Sequence, residues 1–372
     1  PTSPMPAIDI RPCTEADLPA VVDLLLANTP AAERRAGPLT EHAREVYFDH
    51  PWLHPEIAPL VCFGADGRLN GFIGATARRM TFRGEEILVA VPGNFVVRPG
   101  PDGKVDAFSA IGLVRRFLTG PQDLSLTDTS NDLSRRMWEA AGGAVVAGYS
   151  FDWFRPIRPV RALLQVVEAE RKTALPMSRW LHRVGGVVDI AGARVLARMA
   201  AGKRVDAVLA PFDPDFLLQL LARHRAYEIV GVYDRDSIAW LMRQIEAKAQ
   251  GRTLVCHTVT DGKQPMGAFA YILRADGYAE VLFSYAREGR YDFLLSAMAS
   301  DAAARGAAVL TGTVKPPRLP SYKGQRCFFF ANQWTVVHSR RPELADAFHR
   351  GRALLTALDG EKWTRFGDLF TL

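Results

Sequence analysis

The chain has 372 residues, 48% hydrophobic and 23% charged, a balance that suits a folded protein and excludes a disordered chain, a coiled coil or a fibrous repeat. Lysine and arginine total 46 against 40 aspartates and glutamates, a mild net charge of +6 that fits a phosphate-bearing ligand and lacks the aromatic interleaving of a nucleic-acid surface. No apolar run reaches bilayer length, the first residues carry Asp9, Arg11, Glu15 and Asp17 rather than a signal core, and the four cysteines form no CxxC pair, so the expectation is a cytoplasmic protein without membrane span, disulfide framework or zinc site.

Ile8 and Ile10 alternate with polar residues, which predicts a short strand. Thr14 follows as a helix cap, with Asp17 three residues on, and Leu18, Val21, Val22 and Leu25 form one apolar helical face. Leu60 to Phe63, the Asp66-Gly67 turn and Leu69 to Ala75 read as a hairpin. Met80 to Phe82, Arg83-Gly84 and Ile87 to Val91 read as a second, and Asn94 to Val97 prolong its apolar run. Pro99 to Lys104 breaks that run. A helix over Val105 to Leu118, a strand at Leu124 to Leu126, a helix from Asn131 to Ala141 stopped by Gly142-Gly143, and a strand at Val145 to Tyr149 follow.

The Arg- and Ala-rich stretch 155–211 reads as a helical linker punctuated by Pro156, Pro159 and Pro176. A second pass of the same order then begins. Phe216 to Leu221 is its helix, Thr253 to Thr258 and Gly267 to Leu273 its hairpin, and Tyr278 to Ser284 its next strand. Tyr291 to Arg305, Ala308 to Thr311, Phe328 to Phe330 and Trp334 to Val337 complete it. One element order repeated suggests a tandem duplication, with domains at 1–154 and 212–372 around the linker.

Ile10 to Leu18, Phe95-Val96-Val97-Arg98-Pro99 before a glycine-containing loop, and Asn131 to Gly143 together resemble the GCN5-related N-acetyltransferase (GNAT) superfamily. The resemblance covers about residues 7–152 in sequence features and 212–340 in element order only. It implies an α/β (α+β) fold of two GNAT-like domains, each a mixed, mostly antiparallel sheet flanked by helices. It also implies transfer of an acyl group from acetyl-CoA or another acyl-CoA to an amine, with a small molecule or amino sugar as acceptor. Phe95, Val96 and Val97 correspond to the strand that pairs with the pantetheine arm. Arg98, Gly100, Gly103 and Lys104 correspond to the pyrophosphate loop, where helix N-terminal amides favour an anion. Asn131 and Trp138 fall on the family's late helix, facing the co-substrate.

The loop departs from the family spacing, and Pro101 lacks a donor. Trp138 stands where the family often has a tyrosine, and an indole N–H cannot protonate a thiolate. Tyr149 is therefore the candidate acid, and Asp128 a candidate base for the acceptor amine. The corresponding loop of the second half, Glu288-Gly289-Arg290-Tyr291, is poorer still, so one acyl-CoA site is expected. His50 and His54 flank Pro51 without carboxylates at ligand spacing, which argues against a metal. Two rivals stay open: an aminoacyl-tRNA-dependent transferase of the FemABX type, and a degenerate pair that binds without catalysis.

Overall fold

The structure, a computed structural model, describes residues 9–28, 36–100, 106–158, 205–224, 226–248 and 251–365. In chain order the elements are β1 (Asp9–Pro12), α1 (Leu18–Ala27), α2 (Ala36–Phe48), β2 (Leu60–Phe63), β3 (Leu69–Phe82), β4 (Glu85–Val97), α3 (Ala107–Leu118), β5 (Leu124–Ser130), α4 (Asp132–Ala140) and β6 (Ala144–Val145). There follow β7 (Phe151–Pro156), β8 (Val208–Pro211), α5 (Pro214–Ala222), β9 (Ile229–Gly231), α6 (Arg235–Lys248), β10 (Thr253–Thr260), β11 (Pro265–Leu273) and β12 (Tyr278–Ala286). Last come α7 (Tyr291–Ala304), β13 (Val309–Thr313), α8 (Leu319–Gly324), β14 (Phe328–Ala331), β15 (Trp334–His338) and α9 (Pro342–His349).

The chain forms two compact units, one of Pro1–Ser150, Arg225–Gln250 and Gln333–Leu372, the other of Phe151–His224 and Gly251–Asn332. The first unit holds a sheet in the order β1-β2-β3-β4-β5-β15-β6, with β9 paired to β3. The second holds β14-β7-β13-β12-β11-β10-β8. Neighbours are antiparallel except β4 with β5 and β12 with β13. The expected class, two mixed and mostly antiparallel sheets flanked by helices, is the observed one. The contiguous spans 1–154 and 212–372 divide the chain elsewhere than the compact units do. Position 154/155 falls inside β7, a strand of the second sheet, and β15 returns to the first. Of the helical linker expected over 155–211, residues 159–204 lie outside the described residues, while Arg155 and Pro156 end β7 and Val208–Pro211 is β8.

Each sheet of this kind is stable because both faces are covered. In the first unit one face joins α3 and α4 to the sheet through Leu113, Val114, Phe117 and Trp138 against Ile73, Ala75, Ala77 and Ala90. The other packs Leu344, Ala347 and Phe348 of α9 against Met80, Val89, Val91 and Leu126. Val89 and Ala90 fall on opposite faces, as strand alternation requires. In the second unit Leu294, Leu295 and Met298 of α7 cover Phe269, Tyr271 and Val281.

Two local expectations change. The pieces Leu69 to Ala75 and Met80 to Phe82 are one continuous strand, β3. The intervening Arg78 is buried with its guanidinium 3.8 Å over the Trp52 ring, donating to the Leu358 carbonyl and the Tyr233 hydroxyl. A cation paired this way is accommodated inside a strand. The strand expected at Val145 to Tyr149 ends at Val145, and Ala147–Tyr149 is a 3-10 turn.

Candidate active site

Strands β4 and β5 of the first unit begin as parallel neighbours and then part. Their ladder is confined to Val89–Leu124 and Ala90–Ser125. Beyond Ala90, β4 stays paired only with β3, and that ladder carries a bulge. Gly74 opposes Gly93 and Phe72 opposes Val96, so Asn94 and Phe95 together face Ile73. Asn94 sits in the left-handed region at φ 51°, which asparagine tolerates better than most residues. Its amide donates to the Tyr47 hydroxyl at 2.8 Å. That phenol lies over Gly74 and Gly93, where an added Cβ would meet it at 2.2 and 3.0 Å. Bulges bend a strand and re-aim its groups; here the bend lies on the divergent stretch.

The divergence opens a cleft of about 440 Å³, within the usual range for small-molecule sites. Pro92, Gly93, Phe95, Val96 and Val97 line its β4 side, and Thr127, Thr129, Ser130 and Asn131 its β5 side. Glu361 also lines it, although it lies 230 or more residues away in sequence from β5. Its carboxylate accepts from Thr127 Oγ1 at 2.7 Å, and its backbone N–H donates to Asp128 Oδ1 at 2.8 Å. Thr127, Asp128 and Glu361 are all buried. Successive β5 residues therefore hold one carboxylate in the cleft, Thr127 by its side chain and Asp128 through the backbone. The sequence carried no signal for Glu361, since only folding brings it to β5. A larger cavity of about 510 Å³ lies beside Ile57, Leu60, Ala75, Ala90, Phe117 and Arg340. None of the candidate residues lines it, so size alone does not choose the site.

Of the candidate co-substrate residues, Phe95, Val96, Val97, Asn131 and Trp138 come together in the cleft. Asn131 also caps α4, its Oδ1 accepting from the Ser134 N–H at 2.9 Å. Trp138 is buried edge-on to Phe117. Arg98 is exposed and does not line the cleft; its Nε donates to the Leu69 carbonyl and its N–H to that of Asn70. Gly100 does not line it either, and Gly103 and Lys104 lie outside the described residues. At the start of α3, Asp106 accepts from the N–H groups of Phe108 and Ser109 and from the Ser109 hydroxyl. Two amides available in principle to a pyrophosphate are thus already satisfied by a carboxylate.

The two candidate catalytic residues are placed differently from expectation. Tyr149 is buried in the core against Phe348, and its hydroxyl donates to the Ala353 carbonyl at 2.7 Å and accepts from the Ala353 N–H at 2.9 Å. Burial pushes its pKa up. It does not line the cleft, so the proton-donor role gives way to a structural one. Asp128 likewise does not line the cleft and acts on Glu361 from behind. Among the described residues no group of three or more His, Cys, Asp or Glu side chains could hold a metal, and no helix is long and apolar enough to cross a membrane.

No family model matches the chain, and no curated protein matches it. Solved structures do. A GCN5-related N-acetyltransferase from Anabaena variabilis is similar at 10% identity with a TM-score of 0.58, covering 90% of this chain and 74% of that one. One from Kribbella flavida is similar at 13% and 0.52, covering 89% and 71%. The N-myristoyltransferase of Saccharomyces cerevisiae, solved with bound myristoyl-CoA, is similar at 11% and 0.50, covering 91% and 81%. At such identities the likeness is one of architecture: the chain has the fold of the GCN5-related N-acetyltransferases, over two sheets that fit a tandem of that fold.

Proposed function

We propose that the chain is an N-acyltransferase that binds one acyl-CoA in the cleft of the first unit and passes the acyl group directly to the amine of a small molecule. The observation that carries this reading is the parting of β4 from β5 beyond Ala90, which leaves a strand edge facing a cleft of small-ligand size. The amides of a pantetheine arm are chemically suited to such an edge. Phe95, Val96 and Val97 supply the edge, and Asn131 and Trp138 the opposite wall. The similar structures, N-acetyltransferases and an N-myristoyltransferase solved with myristoyl-CoA, support the same donor class.

In this reading the amine nitrogen attacks the thioester carbonyl, a C–N bond forms and the C–S bond breaks. The sulfur leaves with the bonding electron pair. Glu361 takes the proton released by the amine and returns it to the thiolate, so charge and protons balance. Thr127 and Asp128 keep the carboxylate in place, and catalysis rests mainly on holding amine and thioester together. Titration calorimetry with acetyl-CoA, octanoyl-CoA and myristoyl-CoA tests the donor. Saturable binding of any one is expected, and failure of all three overturns the reading. A second reading, a module that binds without turnover, is favoured by the Asp106 carboxylate at the start of α3. It predicts no thermal stabilisation by any CoA species.

A further inference from the structure

The second unit repeats the strand divergence and then closes it. Strands β12 and β13 pair in parallel only at Tyr278–Val309, Ala279–Leu310 and Glu280–Thr311. Strand β12 carries a bulge beyond that point, since Tyr271 opposes Val281 and Ala270 opposes Phe283, with Leu282 extra. Helix α7 follows, as α3 follows β4. The strand order of the second sheet matches that of the first.

A buried lysine meets the divergent stretch of β12. Lys315, just past β13, is 4% exposed. Its Nζ donates to the carbonyl oxygen of Ser284 and to Ser284 Oγ, both at 2.8 Å. The same ammonium lies 5.5 Å from the ring centres of Tyr285 and Tyr291. Ser284 Oγ is 3.0 Å from the Tyr291 hydroxyl, which is 3.0 Å from that of Tyr322. Tyr322 is fully buried and stacks on Trp153. Burying an ammonium is costly unless it is hydrogen-bonded, and here a backbone carbonyl, a hydroxyl and two ring faces receive it. The carbonyl it binds belongs to the divergent stretch of β12, the counterpart of the stretch on β4 that faces the open cleft.

We infer that Lys315 is a built-in occupant of the second strand divergence. Its ammonium takes the Ser284 carbonyl that a ligand amide N–H would otherwise meet, so the second unit takes no acyl-CoA and the chain binds one, in the first unit. The stoichiometry rests on the acyl-CoA reading of the first cleft; the closure by lysine does not.

Two measurements on the full chain separate these statements. Reductive methylation of the native protein, mapped by peptide mass, labels the exposed Lys263 and Lys323 and reaches Lys315 at least tenfold more slowly. Equal labelling of the three overturns the closure. Calorimetry with coenzyme A gives one molecule per chain, lost on Ser134→Trp in the first cleft. Two per chain, or one indifferent to that substitution, overturns the inference. If the wild type binds none, the acyl-CoA reading falls, and the labelling alone decides whether Lys315 closes the second divergence.

Discussion

Three side chains show how little a residue's type says until its surroundings are known. Glu361 is an acidic residue among many in the sequence, yet it is buried, bonded to Thr127 and aimed into the cleft. Glu361→Gln keeps the shape and removes the basicity. With the best acceptor from a panel of amines, kcat is expected to fall about 10²–10⁴-fold with KM for the acyl-CoA little changed; a variant that turns over like wild type refutes the role. Tyr149 is the converse case, a residue of suitable chemistry in an unsuitable place. Tyr149→Phe leaves the Ala353 N–H and carbonyl without their partner and is expected to cost about 1–3 kcal/mol in urea unfolding, with turnover per folded molecule unchanged. A collapse of turnover without loss of stability would restore its catalytic role. His50 sets a pH dependence. Burial, reinforced by Arg78, holds it down at about 4 from an ordinary 6.5. The unfolded chain therefore takes up a proton that the folded chain refuses across that window. Stability is lost as pH falls from 6.5 towards 4, on the order of 1.4 kcal/mol per pH unit from this group. His50→Gln is expected to flatten the slope of unfolding free energy against pH, and an unchanged slope removes His50 as its source.

At the scale of elements, hydropathy patterning located most strands and helices, because burial of one face imposes a period on the sequence. The β3–β4 hairpin, the helix capped by Asn131 and the α7 helix were legible in this way. The divergence of β4 from β5 was not. Whether two apolar strands stay paired depends on what packs between them, and periodicity does not record it. The bulge at Asn94 was equally hidden, although an asparagine in an apolar run is compatible with one. Asn94→Val places a β-branched residue at φ 51°, which costs about 1–2 kcal/mol, and it removes the bond to Tyr47. Acyl-CoA affinity is expected to drop with stability, whereas Asn94→Gly keeps the backbone and loses less of both. Equal affinities for the two variants, measured by calorimetry, would show that the bulge does not shape the cleft.

At the scale of the whole molecule, the two sheets share one chain in an interleaved order. Strand β15 lies between β5 and β6 although about two hundred residues separate it from either. A fragment 1–154 lacks β15, β9 and α9, and so lacks an interior strand and part of one covering layer of its sheet. Such a fragment is expected to show no cooperative thermal transition by circular dichroism, and a sharp melt would show that β15 is dispensable. By itself the sequence determined where most strands and helices lie, and its resemblance to a known family supplied the expected class of fold and the candidate residues on β4 and α4. The elements follow from local periodicity and capping, the rest from the resemblance that contiguous motifs carry. The tertiary structure alone decided which strands share a sheet, that Tyr149 is locked in a core, that Glu361 meets Thr127, and that Lys315 meets Ser284. Each of these is a meeting of residues far apart in the chain, governed by packing and by the need to satisfy buried polar groups, and no local pattern encodes it.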